Sequence, residues 1–560
     1  SDFGPAAALG KLMIGIDRVL AFAACMALGS AVDIARCTES QRQWIDSDGI
    51  PGKLLICGGG ELPERILDRF RELAGGDAAR LVIVPTASDV VNEKTDQKII
   101  EFWRGWNVAS VQILHTRSKE EANTPEFVAP LKEATGVWFG GGSQSRIAEA
   151  YVGTAVESEL QALLERGGVI GGTSAGAAIQ CKLMIASGNP EAILKTGLDL
   201  LPGSVIDQHF RQRDRQPRLV RVLTEHPGYV GFGVDEATAL LVDGRGLEII
   251  GDNCVTVCLA AGEGREALAQ ELKEGNVADL TALRRAARDR AGPTFPPAEM
   301  QSPNVPHGAL VIGGGGRMPE EVIKKFIELA GGPDGLIVVL PTAMADPLPE
   351  HDSDEKMFRR AGATNVVVLP QRRRADVESD EFVKTLSNAQ GVWFGGGRQW
   401  RFVDAYENTK AYDLFHDVLR RGGVIGGSSA GASIQGEYLA RGSPLGNASI
   451  MADGYERGFS FLPGTAIDQH FTQRERAADM AQLINRYPRL MGIGIDESTA
   501  LVVQNQSLLA LGKHQVHLFR AVANDEGKQV VHSLKAGERQ ELDDSFLHPS
   551  SGEISAGSTP

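Results

Sequence analysis

At 560 residues the chain exceeds what one hydrophobic core ordinarily organises, and two to four domains are expected. An apolar fraction of 42% and a charged fraction of 23% are those of a soluble globular protein. The net charge of −15 disfavours a general nucleic-acid partner. Six cysteines do not make a disulfide framework. Cys57 and Cys181 read as core residues, and the second half has no cysteine, so thiol chemistry cannot be common to both halves.

Near the amino end, Arg18 precedes an apolar run, Val19 to Leu28, closed by Gly29-Ser30-Ala31. That is a signal-peptide pattern, too short to span a membrane comfortably. A secreted or periplasmic location follows if the leader is a signal peptide, and a cytoplasmic one otherwise. No other segment reads as transmembrane.

From residue 50 onward the chain reads as an internal duplication. Leu54-Leu55-Ile56-Cys57-Gly58-Gly59-Gly60 matches Leu310-Val311-Ile312-Gly313-Gly314-Gly315-Gly316, and Pro85-Thr86-Ala87 matches Pro341-Thr342-Ala343. Gly136-Val137-Trp138-Phe139-Gly140-Gly141-Gly142 returns as Gly391-Val392-Trp393-Phe394-Gly395-Gly396-Gly397. The offset is near 255 up to Ser174 and Ser429 and becomes 261 at the next motif, so copy two carries six extra residues between them. The expected divisions are a leader over 1–49, one domain over 50–291, a Pro-rich linker over 292–306, a second domain over 307–545 and a disordered tail over 546–560.

Within copy one, short apolar runs at Lys53–Cys57, Leu81–Val84, Val111–Leu114, Gly136–Phe139 and Gly168–Ile170 alternate with helical patterns. In Pro63–Ala74, Ile66, Phe70 and Leu73 share a face and Gly75-Gly76 ends the helix. Alternating strands and helices with continuously apolar strands predict an α/β domain with a parallel sheet covered on both faces. Reactive groups in such sheets gather beyond the carboxyl ends of the strands. Arg265 to Arg290, charged and rich in Ala and Leu, is expected to form closing helices.

The chemistry centres on Gly172-Thr173-Ser174-Ala175-Gly176, repeated as Gly427-Ser428-Ser429-Ala430-Gly431. Gly-x-Ser-x-Gly between a strand and a helix is a nucleophile elbow: the turn pushes the hydroxyl out of the chain, and the helix start presents backbone N–H groups to an oxyanion. A lone copy would equally fit a Gly-rich structural turn. A serine nucleophile needs a base, and the base an orienting acid. Asp207-Gln208-His209-Phe210 and then Asp235-Glu236 follow in copy one; Asp468-Gln469-His470-Phe471 and then Asp496-Glu497 follow in copy two. His209 and His470 recur at equivalent positions, whereas His115, His226, His307 and His351 do not and read as surface or loop residues. The order Ser, His, acid differs from that of ordinary α/β-hydrolases. Spacing alone leaves the third member open between the aspartate and the glutamate. The Gly-rich runs Gly58–Gly60 and Gly313–Gly316 lack dinucleotide spacing and read as tight strand–helix turns.

These three motifs, in this order and present twice, resemble the cyanophycinase family of serine peptidases, related to aspartyl dipeptidases and, in fold, to class I glutamine amidotransferases. The resemblance runs from about Gly52 to about Leu542. It implies two tandem copies of a class I glutamine amidotransferase-like, flavodoxin-like three-layer domain. It also implies Ser174, His209 and Glu236, with Ser429, His470 and Glu497, as nucleophile, base and orienting acid. Backbone amides at Gly141 and Ala175, and at Gly396 and Ala430, would form the oxyanion holes. The resemblance implies substrate contacts at Gln144, Asp207, Gln208, Arg213, Arg215 and Arg218, and at Gln399, Asp468, Arg474 and Arg476. A guanidinium fork suits the free α-carboxylates of a β-aspartyl peptide. Where the family has an Asp before the glutamine, Ser143 and Arg398 stand here; Asp479 stands where Arg218 would have its counterpart. Copy two, with that arginine lost and six residues added, is further from the family pattern. The implied activity is hydrolysis of β-aspartyl-arginine linkages without metal or organic cofactor. An aspartyl or isoaspartyl dipeptidase and a non-catalytic peptide- or carbohydrate-binding scaffold are the alternatives. A duplication joined by a short linker also makes an intramolecular pseudo-dimer an expectation.

Overall fold

The computed structural model describes residues 46–350, 352–522, 525 and 527–549. The signal-peptide-like run, His351 and residues 550–560 lie outside the described residues. The chain divides into two compact units. One comprises the chain up to Ala261 with Glu266–Arg284, the other Gly262–Arg265 with the chain from Arg285. The division falls within the helix Leu280–Ala291.

In the first unit, β1 (Lys53–Cys57), β2 (Arg80–Val84), β3 (Ser110–Ile113), β4 (Gly136–Phe139) and β5 (Val169–Thr173) form a parallel core in the order β3-β2-β4-β5-β1. In β1, β2, β4 and β5 all but end residues are buried on both faces, as the unbroken apolar runs require, whereas the edge strand β3 exposes Gln112. Helices Glu64–Leu73 and Glu93–Arg104 cover one face, where Phe70 packs edge-on against Trp103 and Trp138 with ring centroids 5.6 and 5.0 Å away. Helices Pro125–Glu133 and Ala155–Glu165 supply Val128, Leu131, Leu160 and Leu163 to the core. This is the three-layer α/β arrangement that the alternating strands and helices predict.

Two features depart from a purely parallel sheet. Thr238–Asp243, Gly246–Gly251 and Val277–Asp279 extend the sheet beyond β1 in antiparallel fashion. The hairpin pairs Asp243 with Gly246, leaving a two-residue loop that begins at Gly244 with φ of 58°. A second sheet is built from Ser204–Gln208, Val230–Val234, Val255–Leu259 and Leu268–Leu272. The helices expected over Arg265–Arg290 begin only at Leu280. Leu268–Leu272 instead pairs along the whole of Val255–Leu259, and those edge hydrogen bonds override the helix preference of Leu, Ala and Glu.

The second unit repeats the plan. Val366–Val368, Ile337–Leu340, Gly391–Phe394, Val424–Ser428 and Val305–Gly313 form its parallel core, and Thr499–Asn505 and Ser507–Gly512 extend it antiparallel. Phe326, Phe358 and Trp393 replace the aromatic cluster, with centroid separations of 5.1 to 5.4 Å. Residues Asp544–Leu547, at the start of the predicted tail, form a helical turn. Among the described residues no helix is long and apolar enough to cross a membrane.

Phe70 and Phe326 are fully buried at the centre of these clusters. Phe70→Ala or Phe326→Ala is expected to destabilise its unit by about 3–5 kcal/mol, read as a lowered chemical-denaturation midpoint.

Candidate active site

The glycines flanking each serine answer to particular neighbours. A Cβ on Gly171 would lie 2.5 Å from the Trp138 ring, and one on Gly176 would run into the Phe139 carbonyl oxygen. With backbones this close, Ser174 is forced to φ 54°, ψ −109° and Ser429 to φ 56°, ψ −112°. Positive φ in a non-glycine residue is strained. Here it turns each hydroxyl toward the imidazole: Ser174 Oγ lies 2.8 Å from His209 Nε2, and Ser429 Oγ lies 3.0 Å from His470 Nε2.

Each histidine follows the end of a strand of the second sheet and is itself at positive φ, 49° and 50°. Behind the ring, His209 Nδ1 is 2.5 Å from Glu236 Oε1 and His470 Nδ1 is 2.6 Å from Glu497 Oε1. Of the two neighbouring acids, the glutamate is the one within hydrogen-bond distance of the ring. Asp235 is fully buried, and its carboxylate instead accepts from the Arg211 amide at 3.0 Å and from Arg211 Nε at 2.6 Å. In copy two Asp496 accepts from the Thr472 amide at 3.0 Å. The aspartate fixes the turn after the histidine; the glutamate faces the ring.

The Gly-rich run after β1 does more than turn the chain. Successive carbonyls of Cys57, Gly58 and Gly59 accept from the amides of Ser174, His209 and Ala237 at 3.1, 2.7 and 3.0 Å. Gly313, Gly314 and Gly315 do the same for Ser429, His470 and Ser498 at 3.0, 2.7 and 2.8 Å. Gly59 and Gly315 have φ near 100°, and a Cβ on either would overlap the imidazole. A Cβ on Gly60 would sit 3.0 Å from that of Glu236. Gln212 and Gln473, which no motif singles out, also take part: their side-chain oxygens accept from the amides of Glu236 at 3.0 Å and Glu497 at 2.9 Å. Their recurrence three residues past each histidine is the sequence signal that marks them.

Gly141 and Gly396 approach their serines closely: a Cβ on either glycine would lie 3.6 Å from the serine Cβ. The amides of Gly141 and Ala175, and of Gly396 and Ala430, have no acceptor among the described residues. Burial, reinforced by Arg213 and Arg215, outweighs the Glu236 hydrogen bond and holds His209 below the usual histidine range. His470 is lowered in the same way, with Arg474 and Arg476 as the flanking cations.

A cavity of about 490 Å³ opens at Ser174, lined in part by Gln144, Gln208, Arg213, Arg215 and Arg218. Gln144 Nε2 donates to the carbonyls of Ile185 and Ala186 at 2.8 and 2.9 Å, and Gln399 Nε2 to that of Ala440 at 2.7 Å. Three of the expected substrate contacts are engaged with other parts of the protein. Asp207 is wholly inaccessible, and its carboxylate receives Arg218 Nε and Nη2 at 2.6 and 2.5 Å. Arg218, 3% exposed, also donates to the Gly188 carbonyl and is a strut. Asp468 is equally inaccessible. Arg215 and Arg476 bind the backbone and side-chain oxygens of Gln208 and Gln469, which frames the cavity wall. Burial brings Arg215 down to about 10, still cationic at neutral pH. Among the described residues, the guanidinium groups of Arg213 and Arg474 have no hydrogen-bond or ion-pair partner.

The arginine missing at Asp479 is replaced in space. Arg441, from the segment after the strand Gly436–Tyr438, donates to Asp468 at 3.0 Å, to Asp479 at 2.6 Å and to the Asn447 and Ala448 carbonyls. Nothing in copy one announces it, because residue 186 there is alanine.

An α/β domain with a hydroxyl–imidazole–carboxylate chain at an elbow is the arrangement of a serine hydrolase. The sequence model of Peptidase family S51 matches residues 54–250 and 309–511, and the chain belongs to that family. A cyanophycinase from Synechococcus elongatus is 33% identical over 38% of this chain and 67% of its own length. One from Geminocystis herdmanii is 30% identical over 37% of this chain and 78% of its own. A solved peptidase from an acI-B1 Actinobacterium aligns at 21% identity and a TM-score of 0.34, covering 42% of this chain and 99% of that one.

Removing a strut should leave a buried carboxylate short of a partner, with Arg215 or Arg476 as its remaining cation. Arg218→Met and Arg441→Met are each expected to lower the stability of their unit by about 3–5 kcal/mol in chemical denaturation.

Proposed function

We propose that each half is a serine peptidase acting on β-aspartyl peptide bonds, with β-aspartyl-arginine linkages as the substrate class and an acyl-enzyme as intermediate. The observation that carries the reading is the Ser–His–Glu hydrogen-bond chain beside an unpaired guanidinium, present in both halves. The cyanophycinase names of the relatives support the linkage type.

In this mechanism Arg213 holds the free α-carboxylate of the aspartyl residue. His209 removes the Ser174 proton as Oγ attacks the β-carbonyl carbon, and the amides of Gly141 and Ala175 receive the oxyanion. His209 then gives that proton to the departing α-nitrogen of the next residue, the C–N bond breaks, and a serine ester remains. Water, deprotonated by the same imidazole, cleaves the ester and restores the hydroxyl. Glu236 keeps the proton-bearing Nδ1 oriented and stabilises the imidazolium. Ser429, His470, Glu497 and Arg474 take the same parts in copy two.

Incubation with β-aspartyl-arginine is expected to yield free aspartate and arginine, while α-aspartyl dipeptides remain intact. Turnover of the α-linked dipeptides alone would favour the dipeptidase alternative and reject this one. Ser174→Ala and Ser429→Ala should each remove one half's contribution, and the double variant should lose about 10³-fold or more in kcat. Unchanged activity in the double variant would refute the nucleophile assignment.

The lowered histidines set the pH response. The reaction needs neutral imidazole, so kcat should be complete at neutral pH and fall only below the ordinary histidine value of about 6.5. Arg213→Gln removes a cation that opposes protonation of His209. In a Ser429→Ala background it should move the acid limb of kcat to higher pH.

A further inference from the structure

The two halves differ at the residue before the cavity glutamine: Ser143 in one, Arg398 in the other. The offset of 255 that relates Gln144 to Gln399 also relates Ile185 to Ala440, whose carbonyls receive those glutamines. It therefore places Ser443 at the counterpart of Gly188, which lines the cavity of copy one. Arg398 donates from Nη2 to the Ser443 carbonyl at 2.7 Å, so its guanidinium is pinned to the equivalent rim. In copy one the matching carbonyl is held by Arg218 from within the wall. Copy two thus has a cation bonded to this carbonyl at a position where copy one has a serine.

That cation is uncompensated. Arg398 is half-buried, its Nε is buried without a hydrogen-bond partner, and Nη1 makes no hydrogen bond among the described residues. Burial lowers it below the usual arginine range, and among the described residues no carboxylate pairs with it. Leaving a guanidinium partly desolvated and unpaired is unfavourable unless an anion completes it. Arg474, also unpaired, stands by His470 on the same site. Gly396, two residues before Arg398, approaches Ser429.

We infer that the second site differs from the first in favouring a β-aspartyl peptide whose following residue carries an acidic side chain, bound by Arg398. The inference rests on the hydrolytic reading above for its reaction and on Arg398 alone for its selectivity. Arg474 would take the aspartyl α-carboxylate, and the fork of Arg398 would take the second carboxylate.

The test uses the full chain with Ser174→Ala, which isolates the second site, and compares the C-terminal amides of β-aspartyl-glutamate and β-aspartyl-alanine, which differ in charge only by the glutamate side chain. The expected result is a preference for the acidic dipeptide of about 10-fold or more in kcat/KM, carried mainly by KM. Arg398→Ser should bring the ratio near one. In the complementary Ser429→Ala chain, Ser143→Arg should confer the preference on the first site. A ratio near one with Arg398 present, or a preference that survives Arg398→Ser, overturns the inference. If the Ser174→Ala chain cleaves neither dipeptide, the hydrolytic reading of that half fails, and binding then decides. Calorimetry of the β-aspartyl-glutamate amide on the Ser174→Ala/Ser429→Ala chain should show one site weakened by Arg398→Ser; identical isotherms reject the anion site.

Discussion

Three consecutive peptide carbonyls at the end of the first strand hold this site together. Those of Cys57, Gly58 and Gly59 bind the amides of the serine, the histidine and the residue after the glutamate, in that order. The three segments come from the parallel sheet, the second sheet and the start of the antiparallel extension. Side-chain hydrogen bonds alone would not fix such distant pieces, since each side chain has its own rotamers. Anchoring the backbone first leaves only a short side-chain reach, and the serine–imidazole–carboxylate distances of 2.5 to 3.0 Å follow in both copies. Preorganisation of this kind spares the site a reorganisation cost during reaction.

The glycines follow from the same requirement. The strand end must pass directly under the imidazole, so Gly59 and Gly315 have no room for a Cβ and sit at positive φ. The serines and histidines, which must carry side chains, accept positive φ as strain. That strain is tolerated because sheets and aromatic clusters on either side over-determine the backbone.

Much of this is legible in the letters. Five apolar runs in copy one place the parallel strands, because strands buried on both faces cannot hide polar residues. Ser174 and His209 are legible because each stands in a motif that the duplication prints twice. The choice between Asp235 and Glu236 is not, since adjacent residues on a turn point in different directions and no periodicity applies there. Nor is the stretch Leu268–Leu272: its propensity is helical, and only the open edge of Val255–Leu259 makes it a strand. Asp207 misleads for the opposite reason. Its motif position is conspicuous, but a fully buried carboxylate serves the wall of a cavity, not its contents.

The exchange of Arg218 for Arg441 constrains how these two halves can interchange parts. In each, an interior carboxylate is held by the guanidinium just past the histidine and by a second one, and that second guanidinium arrives from a different point on the chain. Transplanting the copy-one helix Gln216–Glu225 into copy two would crowd a third cation onto Asp468, whereas transplanting the copy-one segment around residue 186 would remove Arg441 and leave Asp468 only Arg476 and the Gln469 amide. Each step is harmful by itself and tolerable only with its companion, so the two positions form an epistatic pair. A column-by-column comparison would score copy two as having lost a residue that it has relocated.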